Sequence, residues 1–204
     1  QTPGRIAISA VEPSAIFAAA RFLKERLGWT IDVIPVDDLG RVTPENFEKA
    51  IFDDTRIAAV MMANNEVGTI NDIGSLSRIL KAKAPRSRFI VDAVQAFTKV
   101  PFSVTNLGAD YVAITAHKLH GLKGIGALWC GQNLHPTFEG GAQEGGVRGG
   151  TMCAALAWAF AQACVKHVEG MHHIRELRNH AWVGLRQQLP DLKLVGANFE
   201  EGRL

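Results

Sequence analysis

The sequence predicts an α/β fold, a mostly parallel sheet with helices on both faces. Two observations carry this. Short apolar runs alternate with helix-period segments along the first 130 residues, the pattern of strands joined by crossover helices. The helix-period segments that separate the runs carry their own start and stop signals, such as Ser14 with Gly28 and Thr43 with Pro44.

The strand candidates are RIAISAV (5–11), TIDVIPV (30–36), IAAVMMA (57–63), RFIVDAV (88–94), YVAITA (111–116) and IGALWC (125–130). Between the first two, SAIFAAARFLKERLG (14–28) reads as a helix with Ser14 as N-cap and Gly28 as its stop. TPENFEKAIF (43–52) offers an N-cap Thr, Pro at the first helical position and Glu in the first turn. SLSRILKAKAP (75–85) is a shorter helix ended by Pro85. Beyond residue 150 one helical stretch runs over about 152–188, with an interruption expected at Gly170, and DLKLVGANFEEGRL then opens what reads as another strand.

A chain of 204 residues is long enough for one sizeable core, so one domain, or one plus part of a second, is expected. Hydrophobic residues at 47% and charged residues at 21% exclude a disordered chain. A net charge of +2, with its lysines and arginines scattered, gives no footprint for nucleic acid. Cys130, Cys153 and Cys164 are odd in number and lack CxxC spacing, which signals neither a disulfide framework nor a zinc site. A reducing compartment, the cytoplasm, is expected. The chain opens QTPGRIAIS, without the basic and apolar regions of a signal peptide and without an initiator Met. The stretch MCAALAWAFAQACV (152–165) is shorter than the ~20 residues of a membrane span, and reads as a buried helix.

Helix-covered parallel sheets bind ligands outside the carboxyl ends of their strands. Four predicted strand ends are polar: Glu12-Pro13, Asn64-Asn65-Glu66, Asp92 through Gln95, and Thr115 through Lys118. Asp92 ends an apolar strand, where an ionised carboxylate is costly without a partner. It either caps a following helix or pairs with a nearby Arg, or it serves a ligand. With Gln95 and Asn65 it offers one carboxylate and two amides to a planar polar ligand. Lys118 is either a solvated surface charge or an amine whose environment makes it nucleophilic toward a carbonyl. His117 is either a core histidine or part of the same site.

Four runs, MMANNEVGTINDI, FIVDAVQAF, ITAHKLHGLKGIGALW and EGGVRGGT, in this order and at these separations, resemble the cysteine desulfurase and selenocysteine lyase group. That group lies in the class V aminotransferase branch of the pyridoxal 5'-phosphate (PLP) enzymes of fold type I. The resemblance covers roughly residues 5–198. It implies that residues 1–204 are the central part of the PLP-binding large domain of such a transferase fold, with 191–204 starting a small C-terminal domain that is otherwise missing. It further implies that Lys118 is the Schiff-base lysine, that Asp92 pairs with the pyridine nitrogen, and that Gln95 and Asn65 contact the ring hydroxyl oxygen. Thr115, where the group more often has Ser, and His117 would bind the phosphate. Thr151 would reach the phosphate of a neighbouring subunit's cofactor, which implies a homodimer.

The sequence departs from the group at ISAVEPSAI, where Pro13 stands in place of a His that stacks on the ring and moves protons. A proline offers an apolar face but exchanges no proton. The group's phosphate loop, reactive cysteine and carboxylate-binding arginine are expected outside this segment, and the three cysteines present read as buried and inert. The resemblance implies removal of sulfur or selenium from cysteine or selenocysteine to give alanine, with a protein sulfur acceptor. The alternatives are a PLP-dependent C–S lyase or aminotransferase-like enzyme, or a catalytically impaired scaffold. GLKGIG (121–126) precedes a strand rather than opening a helix, the wrong context for a dinucleotide fingerprint. His172, His173 and His180 show no metal-ligand pattern.

Overall fold

The computed structural model describes residues 2–135, 140–200 and 202–204. Its six-stranded sheet comprises β1 (Arg5–Ser9), β2 (Thr30–Ile34), β3 (Thr55–Met61), β4 (Arg88–Asp92), β5 (Tyr111–Thr115) and β6 (Gly126–Cys130). The spatial order is β2-β1-β3-β4-β5-β6. The first five strands run parallel, and β6 pairs antiparallel with β5. All six predicted strands form; five are shorter than their apolar runs, and β3 keeps seven residues but starts two earlier than predicted.

Among the described residues four α-helices accompany the sheet: α1 (Ser14–Leu27), α2 (Pro44–Ala50), α3 (Ile73–Lys83) and α4 (Ala154–Gln188). Alternate strand residues face opposite sides, so β1 sends Ala7 into one core and Ile6 and Ile8 into the other. The larger core holds Ile34, Phe47, Ile51, Leu76, Leu80, Phe89 and Val91, which places α2 and α3 on that face. The smaller holds Ala20 of α1 with Ala59. A third cluster joins Ala116 and Leu119 to Phe160 of α4.

Local signals explain most helix ends. Thr43 caps α2 by accepting from the Asn46 amide at 3.2 Å, with Pro44 in the first turn. Asp72 caps α3, accepting from the Ser75 amide at 3.1 Å, so the helix starts two residues before the predicted Ser75. Gly28 ends α1 in the left-handed conformation that glycine adopts without penalty. At the other end of α1, Pro13 rather than Ser14 holds the N-cap position, and no side chain caps the helix.

Three expectations are corrected. Helix α4 runs unbroken through Gly170, where an added Cβ would meet open space, so this glycine weakens but does not end the helix. The segment 152–165 is not a buried helix: Phe160 is buried, but Trp158 is 68% and Val165 59% exposed. Its apolar residues surround the helix while only one side meets the sheet. The tail forms a single isolated bridge, Thr69 with Arg203, instead of a strand. It is held by the Leu204 amide donating to the Gly68 carbonyl at 2.8 Å and by the Ala197 amide donating to Thr69 Oγ1 at 3.0 Å.

Buried polar side chains pin the strands that present the site. Asp110, 4% exposed, accepts from Lys81 Nζ at 2.9 Å and from the Phe89 amide at 2.8 Å, fixing the entry of β5 beside β4. Asn71 donates to the Met61 carbonyl at 2.8 Å and accepts from the Val42 amide at 2.9 Å, which holds the end of β3. No described helix is long and apolar enough to cross a membrane.

Candidate functional site

The carboxyl ends of β1, β3, β4 and β5 open onto one cleft of about 680 Å³. Glu12 and Pro13 enter it after β1, Asn65 after β3, Asp92 and Gln95 at the end of β4, and Lys118 after β5. Thus the carboxylate, both amides and the lysine singled out in the sequence share one cavity, as the strand-end rule predicts.

Each comes from a short structured turn. The Asn64 side chain accepts from the amides of Glu66 and Val67 at 2.8 and 2.9 Å, which shapes the turn and leaves Asn65 exposed in the cleft. Asp92 accepts from the Val94 amide at 2.9 Å. No ion pair to it is present among the described residues, and burial pushes its carboxyl above the usual range. Of the alternatives open to Asp92, no helix follows for it to cap and no arginine partner is seen among the described residues; its contact is with a turn amide instead. Lys118 lies in a 3-10 turn, His117–Leu119, and is exposed.

Thr115 and His117 lie just beyond, with Thr115 Oγ1 3.0 Å from His117 Nδ1 and donating to the Ile125 carbonyl at 3.2 Å. Neither lines the cleft. Thr151 is exposed ahead of α4, also outside the cleft lining. The cysteines are not uniformly buried, contrary to expectation. Cys130 and Cys153 are exposed, because β6 is an edge strand and Cys153 occupies the N-cap position of α4; Cys164 is partly buried beside Phe160. None lines the cleft. GLKGIG leads into β6, and an added Cβ at Gly126 would lie 2.8 Å from the Ile114 carbonyl oxygen, so this glycine serves strand approach.

Two cleft-side residues had no assigned role in the sequence reading. Glu12 is 7% exposed, accepts from the Ser9 hydroxyl, and accepts from the Met61 amide at 2.7 Å. Its Oε2 has no hydrogen-bond partner among the described residues. Burial pushes its pKa up to about 7, against the two hydrogen bonds and with a small contribution from Asp92. Lys99, four residues after Gln95, donates to Gln95 Oε1 at 2.9 Å. Burial lowers its pKa, and the charge of Lys118 adds to this. A carboxylate inside an apolar frame was the available signal for Glu12; Lys99 had none, since its position depends on the turn after β4.

A mostly parallel sheet with helices on its faces and an acid, two amides and an amine gathered at its strand ends defines an α/β protein with a polar cleft at the carboxyl edge of the sheet. The chain belongs to the aminotransferase class-V family, whose model matches residues 1–188. That family is PLP-dependent. The chain is 38% identical over 197 residues to the cysteine desulfurase IscS of Dictyoglomus turgidum, covering 94% of this chain and 49% of that protein. It is 35% identical over 200 residues to the IscS of Clostridium botulinum, covering 95% and 50%. A solved NifS-like protein superposes with a TM-score of 0.85 at 35% identity, over 92% of this chain and 53% of that one. An apo cysteine desulfurase from Thermococcus onnurineus, at 21% identity and TM-score 0.87, shares the fold over the whole of this chain and 56% of its own. The chain therefore spans about half the length of the curated relatives it matches.

Proposed function

We propose that this chain carries the cofactor-binding part of a PLP-dependent cysteine desulfurase, which takes sulfur or selenium from cysteine or selenocysteine and leaves alanine. The observation that carries this reading is the meeting of Asp92, Asn65, Gln95 and Lys118 in one cleft. The donor set fits the cofactor. Asp92 is partly buried and has no cationic partner among the described residues, so a protonated ring nitrogen would meet its demand. Asn65 and Gln95 supply amides for the ring oxygen, and Pro13 supplies an apolar surface.

When bound, PLP supplies an electron-withdrawing ring that delocalises negative charge developed at the substrate's α-carbon. Asp92 would hold a positive charge on the ring nitrogen by offering its carboxylate. Lys118 Nζ would hold the cofactor and exchange a proton with the substrate. Thr115 and His117, which lie outside the cleft lining, would hold the phosphate. With Pro13 in place of a histidine, that wall shields the ring from water and moves no proton.

Sulfur removal requires a nucleophile, and none of the described cysteines lines the cleft. A thiolate from elsewhere in the whole protein takes the sulfur and passes it to an acceptor protein, and the tail 191–204 leads toward a second, small domain. Thr151 reaches a neighbouring subunit's cofactor in a homodimer. The exposed Met152, Trp158, Val165 and Val168 at the start of α4 suit such a contact. The protein works in the cytoplasm as a transferase or lyase.

Titration with PLP tests the reading. An absorbance band near the visible edge, present in the wild type and lost in Lys118→Ala, supports it, and absence of the band at saturating PLP refutes it. That no described cysteine lines the cleft favours a second reading, a C–S lyase that needs no thiol nucleophile. Pyruvate and ammonia from cysteine, instead of alanine, would select it.

A further inference from the structure

The amide of Gln95 has two ends of nearly equal size and opposite hydrogen-bonding character. Lys99 distinguishes them. Its Nζ lies 2.9 Å from Gln95 Oε1, and an ammonium has three donors and no acceptor. The oxygen of Gln95 must therefore face Lys99. Burial and the neighbouring charge of Lys118 both disfavour the Lys99 ammonium, which strengthens its need for that oxygen.

The backbone between the two residues is fixed. The amides of Ala96 and Phe97 donate to the Ala93 carbonyl at 3.0 and 2.8 Å, and the Lys99 amide donates to the Ala96 carbonyl at 2.9 Å. The Lys99 carbonyl accepts from Arg175 of α4. The lysine thus approaches Gln95 from a held position, while Gln95 lines the cleft.

We infer that Lys99 is a positioning residue that turns the Gln95 amide so that its NH2 group faces the cleft, as a donor to an anionic oxygen on the ring of the cofactor. The inference rests on the PLP reading above and adds to it the residue that sets the polarity of this wall. Without Lys99 the amide is free to rotate, and half of its orientations would present an oxygen to an oxygen.

The full chain tests this in four forms: wild type, Lys99→Met, Lys99→Arg and Gln95→Leu. Each is titrated with PLP and with its analogue lacking the ring 3-hydroxyl. Lys99→Met and Gln95→Leu should weaken PLP binding about tenfold while leaving the analogue unchanged. Lys99→Arg, which keeps a donor-only group, should restore most of the difference. Equal weakening of both ligands would indicate a structural role and overturn the inference, as would unchanged PLP binding.

The orientation is read separately in the unliganded chain from the side-chain 15N resonance of Gln95. It should move in Lys99→Met and return toward its original position in Lys99→Arg. A resonance unmoved in Lys99→Met overturns the inference whatever the cofactor does. If the resonance moves but wild-type protein binds no PLP, the cofactor reading fails and the coupling of Lys99 to Gln95 stands.

Discussion

Replacing Glu12 by Gln should remove a large part of the pH dependence of stability. The folded-state pKa of Glu12 is raised from 4.5 to about 7, chiefly by burial. The sign follows from linkage: an acid whose folded pKa is raised binds its proton more tightly in the folded state. Its contribution is fully present below the unfolded pKa, falls as pH rises from 4.5, and levels off above about 7. One pKa unit corresponds to ~1.36 kcal/mol, so the loss between pH 5 and pH 8 is about 2.5 kcal/mol. At 7% exposure little solvent screening reduces it. In Glu12→Gln the amide oxygen still accepts from Ser9 and the Met61 amide, and nothing titrates. Urea unfolding at pH 5 and pH 8, for both proteins, measures the effect. The wild type should lose about 2.5 kcal/mol more than the variant over this range. Parallel pH profiles would refute the reasoning and mean that Glu12 is charged in the folded chain.

Asp92→Ala should weaken PLP binding by about ten- to a hundredfold, because a hydrogen bond to a charged group contributes roughly 1.5–3 kcal/mol; unchanged affinity in an absorbance titration would remove Asp92 from the site. Asp110→Ala should destabilise the fold by about 2–3 kcal/mol, less than the full cost of a broken buried pair because Lys81 and Arg88 reach water. The unfolding midpoint measures it, and a change below ~0.5 kcal/mol would show that Asp110 does not pin β5.

The sheet was legible because its signal is local. Runs such as FIV before Asp92 and YVAI before Thr115 are continuously apolar, as a strand covered on both faces requires. The caps at Thr43 and Gly28 were legible for the same reason: one residue type satisfies one terminus. Strand-end polarity located Asp92, Gln95, Asn65 and Lys118 without distances. What sequence could not supply was relative placement across elements. Helix α4 is apolar enough to be core, yet the packing offered to it is a small cluster around Ala116 and Leu119, with Phe97, Ile114 and Ile125, so Trp158 remains outside. Cys130 and Cys153 were misplaced by the same reasoning, since residue type reports average burial and not the edge position of β6 or the N-cap position of α4. Lys99 was silent because its meaning depends on a turn that folds it back onto Gln95.

These long-range placements reveal how charge is arranged in the cleft. On the β1 and β4 side two carboxyls interact, Glu12 with Asp92; on the other, two amines interact, Lys99 with Lys118. Like charges in a partly buried site cannot both be carried freely. In each pair the more buried member is engaged by protein: Glu12 through Oε1 by Ser9 and the Met61 amide, Lys99 by the oxygen of Gln95. The more ligand-accessible member, Asp92 or Lys118, is left to act on what enters the cleft. If Glu12 holds its proton, the charge of the acid pair rests on Asp92, where a ring nitrogen would need it. If Lys99 spends its donor on Gln95, Lys118 keeps its amine for a carbonyl. Substituting the supporting member of either pair should therefore change the behaviour of its partner toward the cofactor, even though the supporting group need not touch the cofactor itself.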